Sequence, residues 1–262
     1  MSVPSDGSVS RNTPKAAHVP CTGRPPCRRP LPAGVVAGMV ALCCAGSLLG
    51  QAPAPPTDIN REFRAADLDP AAWVQRFEIE SREVFAERAA IVAALDLDRG
   101  VRVADVGSGT GLFLAPLAAG VGAEGRVFAV DISPRLVAFV EQRIRDEALG
   151  NAVVILSTDT STRLPARAVD RVLVCDTYHH FERPQAMLAS IHAALVPGGT
   201  LVIVDFDRVP GVSREWLLDH VRADKTTVRA EIVAAGFEFT DEVPVPGFRE
   251  NYLLRFRKPR AP

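Results

Sequence analysis

The sequence predicts an α/β protein built on a doubly wound, mostly parallel sheet with helices on both faces. Short apolar runs typical of buried strands alternate with helical patterns along the middle of the chain. The strands are expected at 101–105, 126–130, 151–156, 170–175 and 201–205, and the helices at 112–119, 133–147 and 184–194. A glycine-rich turn after the first strand and an acidic residue ending the second strand support this alternation of strands and helices.

Composition sets broad limits on the function. The 262 residues are 47% hydrophobic and 23% charged, which suits a globular protein with a substantial core. The formal net charge is −1, and beyond the N-terminal region acidic residues outnumber basic ones. No nucleic-acid partner is expected, because such a partner would favour a basic face. Four of the five cysteines lie before residue 50, so Cys175 cannot form a disulfide within the folded part.

The N-terminal region differs from the rest of the chain. Residues 1–56 are rich in proline and poor in acids, and residues 31–50 carry no charge behind Arg28 and Arg29. We expect a leader at 1–56 and one domain at 57–262. The apolar stretch is typical of a secretory signal peptide, and it is also long enough to be a membrane anchor. Export, membrane attachment through 31–50, and a misassigned start codon with a cytoplasmic protein remain open alternatives.

The glycine turn that follows the first strand is the candidate ligand site. Its five residues, Gly-Ser-Gly-Thr-Gly, let the backbone approach a ligand closely, because glycine has no side chain and tolerates positive φ. A dinucleotide fingerprint needs a glycine where Leu112 stands. The preceding Asp105 would repel a pyrophosphate but suits a ligand with an ammonium group, such as S-adenosylmethionine. The expected cofactor contacts here are Asp105, Gly107, Ser108, Gly109, Thr110 and Gly111.

Asp131 is the second acidic residue of the candidate site. It ends the second predicted strand, about 20 residues after Gly111, beside the crevice formed by the glycine turn. There its carboxylate can accept two hydrogen bonds from ribose hydroxyls, and Ile132 would pack on the adenine. The alternative role is to cap the next helix, but Ser133 and Pro134 already provide the N-cap and N1 residues.

These motifs and the Leu-Val-Pro-Gly-Gly-Thr turn at 195–200 resemble the class I S-adenosylmethionine-dependent methyltransferases. The resemblance covers about residues 58–257 and is closest to the quinone-biosynthesis C-methyltransferase-like small-molecule group. It implies a seven-stranded Rossmann-like sheet with an antiparallel C-terminal strand, S-adenosylmethionine as the cofactor and a small-molecule acceptor. It also implies that Asp159, with Thr160 beside it, meets the adenine amino group.

The resemblance extends to the segments on either side of the sheet. A helix is predicted over 71–95, and in this family such a helix covers the cofactor, which brings Arg82 within reach of it. One long or two short helices are predicted over 213–235, and two β-rich runs follow as the closing hairpin. The segment 213–235 is where the family recognises its acceptor, and we carry over no individual role for its residues.

The loop after the fourth strand is expected at the methyl end of the cofactor. In open α/β sheets, ligands bind where the strand order reverses, and the first and fourth strands flank that point. The residues expected there are Asp176, Tyr178, His179 and His180. Either histidine could act as a base, and Tyr178 could orient the acceptor. No metal site is predicted, because adjacent histidines on a turn do not readily face one ion.

The predicted function is therefore methyl transfer from S-adenosylmethionine to a small molecule by in-line displacement. Two alternatives remain: an NAD(P)-binding oxidoreductase, and a protein that binds S-adenosylmethionine without catalysis. Neither the identity of the acceptor nor the oligomeric state follows from the sequence.

Overall fold

The computed structural model describes residues 58–260. The predicted leader, including its apolar stretch at 31–50, lies outside the described residues. Within 58–260, no helix has the length and apolar character needed to cross a bilayer.

One seven-stranded sheet forms the centre of the fold. Its strands are β1 Arg102–Val106, β2 Arg126–Asp131, β3 Ala152–Leu156, β4 Val169–Cys175, β5 Leu195–Phe206, β6 Glu238–Glu242 and β7 Asn251–Arg257. They lie in the order β3-β2-β1-β4-β5-β7-β6. Neighbours from β3 to β5 are parallel, and β7 is antiparallel to both β5 and β6. This arrangement confirms the predicted doubly wound sheet with its antiparallel C-terminal strand.

Helices cover both faces of the sheet. Those in the described part of the chain are α1 Arg61–Arg64, α2 Pro70–Phe77, α3 Glu83–Ala86, α4 Arg88–Ala93, α5 Leu114–Val121, α6 Pro134–Asp146, α7 Pro184–Ala194, α8 Glu215–His220 and α9 Lys225–Ala234. Two apolar clusters result, one containing residues of α7 and α9 and the other containing residues of α4, α5 and α6. Val172 and Leu173 of β4 are fully buried in opposite clusters, as expected for a central strand covered on both faces.

The predicted helix over 71–95 is wrong in its continuity. It begins as expected, with Asp69 accepting a hydrogen bond from the Ala71 N–H at 3.0 Å and Pro70 in the first turn. The chain then leaves the helix between Phe77 and Glu83 before α3 and α4 form. Glu78 and Arg82, in this break, contact distant residues, and such tertiary contacts override helix propensity.

The fifth strand is longer than predicted. It begins at Leu195 rather than Leu201, so the Pro-Gly-Gly turn lies within β5 and coincides with a register shift against β4. Gly198 has a φ of +82°, and its N–H donates to the Lys258 carbonyl at 2.8 Å. The Lys258 N–H also donates to the Gly199 carbonyl at 2.8 Å, so paired hydrogen bonds to the residue after β7 keep this glycine-containing stretch in the sheet.

Candidate functional site

A cavity of about 1010 Å³ opens at the carboxyl ends of the strands. Its wall includes residues that follow β1, β2, β3 and β4. Strands β1 and β4 are neighbours at the centre of the sheet, with β2 on one side and β5 on the other. The cavity therefore lies at the reversal of strand order, where open α/β sheets bind their ligands.

The end of β1 and the glycine turn each contribute to this wall one polar atom that has no partner among the described residues. Asp105 is 2% exposed, and its Oδ2 has no hydrogen-bond partner among residues 58–260; Ser108 Oγ is in the same situation. Burial, together with the nearby Asp131, raises the pKa of Asp105 to about 7. A buried polar atom without a partner in a cavity wall calls for a ligand group. An ammonium group beside Asp105 fits this requirement.

The backbone of the turn explains why glycine is required. Gly107 has a φ of +80°, and a Cβ there would lie 2.2 Å from Thr177 Cγ2. The loops after β1 and β4 therefore touch at this point. Gly111 was expected to contact the cofactor, but it does not line the cavity. A Cβ on Gly111 would lie 2.7 Å from Leu114 Cδ1, so this glycine lets the turn pack on α5.

Asp131 holds the glycine turn in place from the neighbouring strand. Its Oδ2 accepts a hydrogen bond from the Gly109 N–H, and its Oδ1 accepts one from the Ser133 N–H, each at 2.8 Å. Burial raises the pKa of Asp131 to about 6, although these hydrogen bonds oppose the shift. Both Asp131 and Ile132 line the cavity. The ribose contact remains a prediction, and the bond to Gly109 is an additional role.

The loop after β3 lies along the same wall. Asp159 lines the cavity, together with Ser157 and Thr158, which the sequence did not single out, and its contact with adenine remains a prediction. Thr160 was expected beside Asp159 at the adenine, but it is exposed and does not line the cavity. Its N–H donates to Thr158 Oγ1 at 3.3 Å, so it closes the loop on itself.

Asp176 connects the loop after β4 to the segment before β1. It lines the cavity and has a φ of +46°. Its carboxylate accepts hydrogen bonds from Arg82 and, at 2.8 Å, from Asn251 Nδ2. Burial raises the pKa of Asp176 to about 6, and the Arg82 guanidinium opposes that shift. Arg82 also lines the cavity, in line with the predicted covering role of its segment.

Tyr178 does not face the cavity, which corrects its predicted role in orienting the acceptor. Its ring is fully buried in the core cluster with α7 and α9. The hydroxyl donates to Glu231 Oε2 at 2.7 Å, and Glu231 also pairs with Arg222. Tyr178 therefore anchors the loop, and the two histidines after it turn the other way, into the cavity.

The two loop histidines meet a third histidine at this end of the cavity. His220, at the C-terminal end of α8, lines the wall with His179 and His180. One ring nitrogen from each histidine lies within 4.8 Å of the others. Two adjacent histidines were not expected to face one ion readily, but both rings line the same cavity after the 3₁₀ turn Tyr178–His180.

Asp205 at the end of β5 orients the buried His179. Its Oδ1 lies 2.6 Å from His179 Nδ1, and its Oδ2 accepts the His179 N–H at 3.0 Å. Burial lowers the pKa of His179, but the charge and hydrogen bond of Asp205 outweigh burial, so the pKa is raised. For His180, burial and the neighbouring His179 and His220 lower the pKa to about 2. His180 is thus a neutral imidazole at physiological pH.

The segment before β1 covers the cavity. Phe63, Trp73 and Phe77 line it, and their rings form a chain with centroids 4.7 and 5.0 Å apart. Asn60 ties this cover to the histidine loop, because its Nδ2 donates to the His180 carbonyl at 2.9 Å. Glu78 ties it to the glycine turn by accepting a hydrogen bond from Thr110 Oγ1 at 2.8 Å.

Comparison with known proteins finds methyltransferase relatives for the part of the chain that contains the glycine turn. A family model described as a methyltransferase domain matches residues 104–203. A protein-L-isoaspartate O-methyltransferase of Ignicoccus hospitalis is 27% identical over 121 residues, which are 46% of this chain and 54% of that protein. A demethylmenaquinone methyltransferase of Geobacillus kaustophilus is 26% identical over 115 residues, which are 44% of this chain and 49% of that protein.

Solved structures agree at the level of the fold. A SAM-dependent methyltransferase from Aquifex aeolicus superposes with a TM-score of 0.64 at 23% identity, covering 72% of this chain and 98% of that one. This chain spans about half the length of the two curated relatives, whose names specify different acceptors. The sheet order, the glycine turn and the family match over residues 104–203 agree, and together they support a class I S-adenosylmethionine-dependent methyltransferase.

Proposed function

We propose that this protein transfers the methyl group of S-adenosylmethionine to a small molecule bound at the histidine end of the cavity. The observation that carries the proposal is the continuity of one cavity from Asp105 and the glycine turn to His179, His180 and His220. Its volume of about 1010 Å³ is at the upper end of the usual range for small-molecule sites, which leaves room for a cofactor and an acceptor together.

The cofactor end of the cavity is polar and preformed. Asp105 supplies a buried carboxylate for the ammonium group, and Ser108 supplies a hydroxyl without a partner among the described residues. Asp131 holds the glycine turn in place through the Gly109 N–H, next to Ser108. When bound, S-adenosylmethionine supplies an electrophilic methyl group on its sulfonium. The residues of the chain then have to align the acceptor with that methyl group and exclude water.

The acceptor end is lined by rings. Phe206 and Trp216 stand edge to face there with centroids 5.8 Å apart, and Trp216 stacks on His220. Phe63 lies edge to face with His180 on the covering side. Such surfaces favour a flat or apolar acceptor, since aromatic side chains bind by area and stacking. This supports a small aromatic or apolar molecule as the acceptor class.

Calorimetric titration of the full chain tests cofactor binding. We expect S-adenosylhomocysteine to bind with one-site stoichiometry and NAD to give no heat of binding. Asp105→Asn should weaken S-adenosylhomocysteine binding by about tenfold or more, because it removes the charge that faces the ammonium. Asp98→Asn is the matched control, because Asp98 is exposed and lies before the same strand. NAD binding in place of S-adenosylhomocysteine would overturn the proposal.

Turnover separates an enzyme from a binding protein. Release of S-adenosylhomocysteine is measured with panels of flat phenolic, thiol and activated-carbon acceptors. We expect turnover with at least one class and inhibition by added S-adenosylhomocysteine. Tight cofactor binding without turnover on any panel would favour the alternative of a binding protein that lacks catalysis.

A further inference from the structure

We propose that His179, His180 and His220 form a binding site for one divalent transition-metal ion, exemplified by Zn²⁺, at the acceptor end of the cavity. The role of the ion in holding the acceptor rests on the proposed function, whereas metal binding itself does not. The three histidines come from two separate elements, the 3₁₀ turn after β4 and the end of α8.

The three rings lie close together at one end of the cavity. Their centroids are 4.4 Å apart for His179 and His180, and 5.1 Å apart for each of these with His220. One nitrogen from each ring lies within 4.8 Å of the others. Two nitrogens bound at about 2.1 Å to a tetrahedral ion are about 3.4 Å apart. Closing that difference requires ring rotation and a small shift of the half-buried His220.

The surroundings of His179 match a metal ligand. Its Nδ1 is occupied by Asp205 at 2.6 Å, which leaves Nε2 as the nitrogen available to an ion. A carboxylate on the far nitrogen fixes the tautomer and strengthens the ligand, as is usual for histidines bound to zinc. Asp205 is itself fixed by the N–H groups of His179 and Phe206, so the ligand orientation is built in.

His180 and His220 also have ring nitrogens available to bind an ion. His180 Nδ1 is buried and has no hydrogen-bond partner in the described part of the chain. His220 lies at the C-terminal end of α8 and lines the cavity, so its ring faces the same space as the other two. A general base would need only one imidazole near the acceptor, whereas three imidazoles meet here. The convergence therefore favours an ion over a lone base.

The ligand type indicates which metals and which acceptors would suit the site. Three imidazoles without a carboxylate favour Zn²⁺, Co²⁺ or Ni²⁺ over Mg²⁺ and Ca²⁺. A three-histidine site leaves the fourth position open to the cavity. An acceptor hydroxyl or thiol bound there would have a lowered pKa and would release its proton to solvent before methyl transfer. This assigns an oxygen or sulfur nucleophile as the acceptor class.

Metal binding can be measured directly on the full chain. The protein is stripped with a chelator, and then Co²⁺ is added while the visible absorption is recorded, followed by competition with Zn²⁺. We expect one equivalent of Co²⁺ with the intense bands of a four-coordinate ion, displaced by Zn²⁺. His220→Ala should abolish these bands and weaken Zn²⁺ binding by more than about 100-fold. Asp205→Asn should weaken it by about 10–100-fold.

His192→Ala is the matched control. His192 packs on Phe237 in the described fold and is absent from the cavity wall, so this variant should bind Co²⁺ like the parent chain. Every variant retains the N-terminal cysteines, so metal bound by those cysteines contributes equally to all samples. Absence of one-equivalent binding, or equal binding by His220→Ala and the parent, would overturn the proposal. S-adenosylhomocysteine titration of the same samples shows separately whether the cofactor site is intact.

Discussion

The backbone N–H of Gly109 donates a 2.8 Å hydrogen bond to the carboxylate of Asp131, which joins the glycine turn after β1 to the end of β2. The same carboxylate accepts the N–H of Ser133, the residue that caps α6. One side chain thereby sets the positions of two loops that line the cofactor end of the cavity. Asp131 thus has a structural role in addition to its predicted contact with ribose.

We expect Asp131→Asn to weaken S-adenosylhomocysteine binding by about tenfold or more and to lower thermal stability. The amide has one acceptor oxygen instead of two, so one backbone N–H loses its partner, at a cost of about 1–3 kcal/mol. Calorimetry and thermal melts measure the two effects. Asp146→Asn on the exposed side of α6 is the control, and equal behaviour of the two variants would contradict the role of Asp131.

The raised pKa of Asp105 predicts an unusual dependence of stability on pH. Its pKa is about 7 in the folded protein, against an ordinary value of 3.8. Between these values the folded state binds more protons than the unfolded state, so the free energy of unfolding of the ligand-free protein falls as pH rises. Thermal melts from pH 5 to 8 should show this fall, and Asp105→Asn should reduce its slope.

Ligand binding should show the opposite trend. The ammonium group of S-adenosylhomocysteine favours the ionised carboxylate, so affinity should increase as pH rises through about 7 and then level off. Titrations at a series of pH values measure this increase. A pH-independent affinity in the parent chain would mean that Asp105 does not face the ammonium.

The packing of Tyr178 predicts that its hydroxyl affects stability and not cofactor binding. Tyr178→Phe removes the hydrogen bond to Glu231, which stays paired with Arg222, so the loss is about 1 kcal/mol, or about 2–4 °C in Tm. Tyr252→Phe is the contrasting variant, because the buried Tyr252 hydroxyl has no partner among the described residues. Its removal should be neutral or stabilising. A Tyr178→Phe variant with unchanged Tm and slower methyl transfer to the acceptor would restore the predicted role in orienting the acceptor.

The central sheet and the cofactor end could be predicted from the sequence because local rules determine them. The glycine turn needs positive φ at Gly107. The positions of Asp105 and Asp131 at the cavity could be predicted because both residues lie near the carboxyl ends of their strands. These features depend on a few neighbouring residues and on the parallel arrangement of strands. The prediction therefore did not require knowledge of distant contacts.

The histidine end depended on such contacts and was predicted only in part. His179 and His180 were found from their place after β4, but Tyr178 beside them faces the opposite side. His220 reaches the site from α8, and no sequence pattern links it to the β4 loop. Asp205 ends a predicted strand, which is the one signal that could have marked it.

Contacts between residues distant in sequence also explain the break in the helix before β1. Glu78 leaves the helical path to accept hydrogen bonds from Thr110 and Arg143, and Arg82 pairs with Asp176. Each partner lies on a different element of the folded domain. Helical periodicity in 71–95 carries no information about these partners, so it predicts a continuous helix.

Because Gly107 touches Thr177, adding a side chain at position 107 should strongly destabilise the protein, and removing the Thr177 side chain should relieve the clash. Gly107→Ala would place a Cβ 2.2 Å from Thr177 Cγ2 at a φ of +80°, so it incurs both overpacking and backbone strain, about 2–5 kcal/mol in total. Gly100→Ala isolates the strain, because Gly100 has a φ of +87° and open space around its Cβ position. We expect it to cost only about 1–2 kcal/mol.

The double variant Gly107→Ala with Thr177→Gly completes this test. Removing the Thr177 side chain eliminates the clash but also the hydrogen bond from its hydroxyl to the Cys175 carbonyl, so the double variant should be less destabilised than the sum of the two single changes. Denaturant unfolding of the parent chain, Gly107→Ala, Thr177→Gly and the double variant gives the four free energies that the comparison requires. The recovery should appear as a coupling energy between the two positions, since additivity is expected only for residues that do not touch. Simple additivity of the two single changes would mean that the loops after β1 and β4 do not meet at this point.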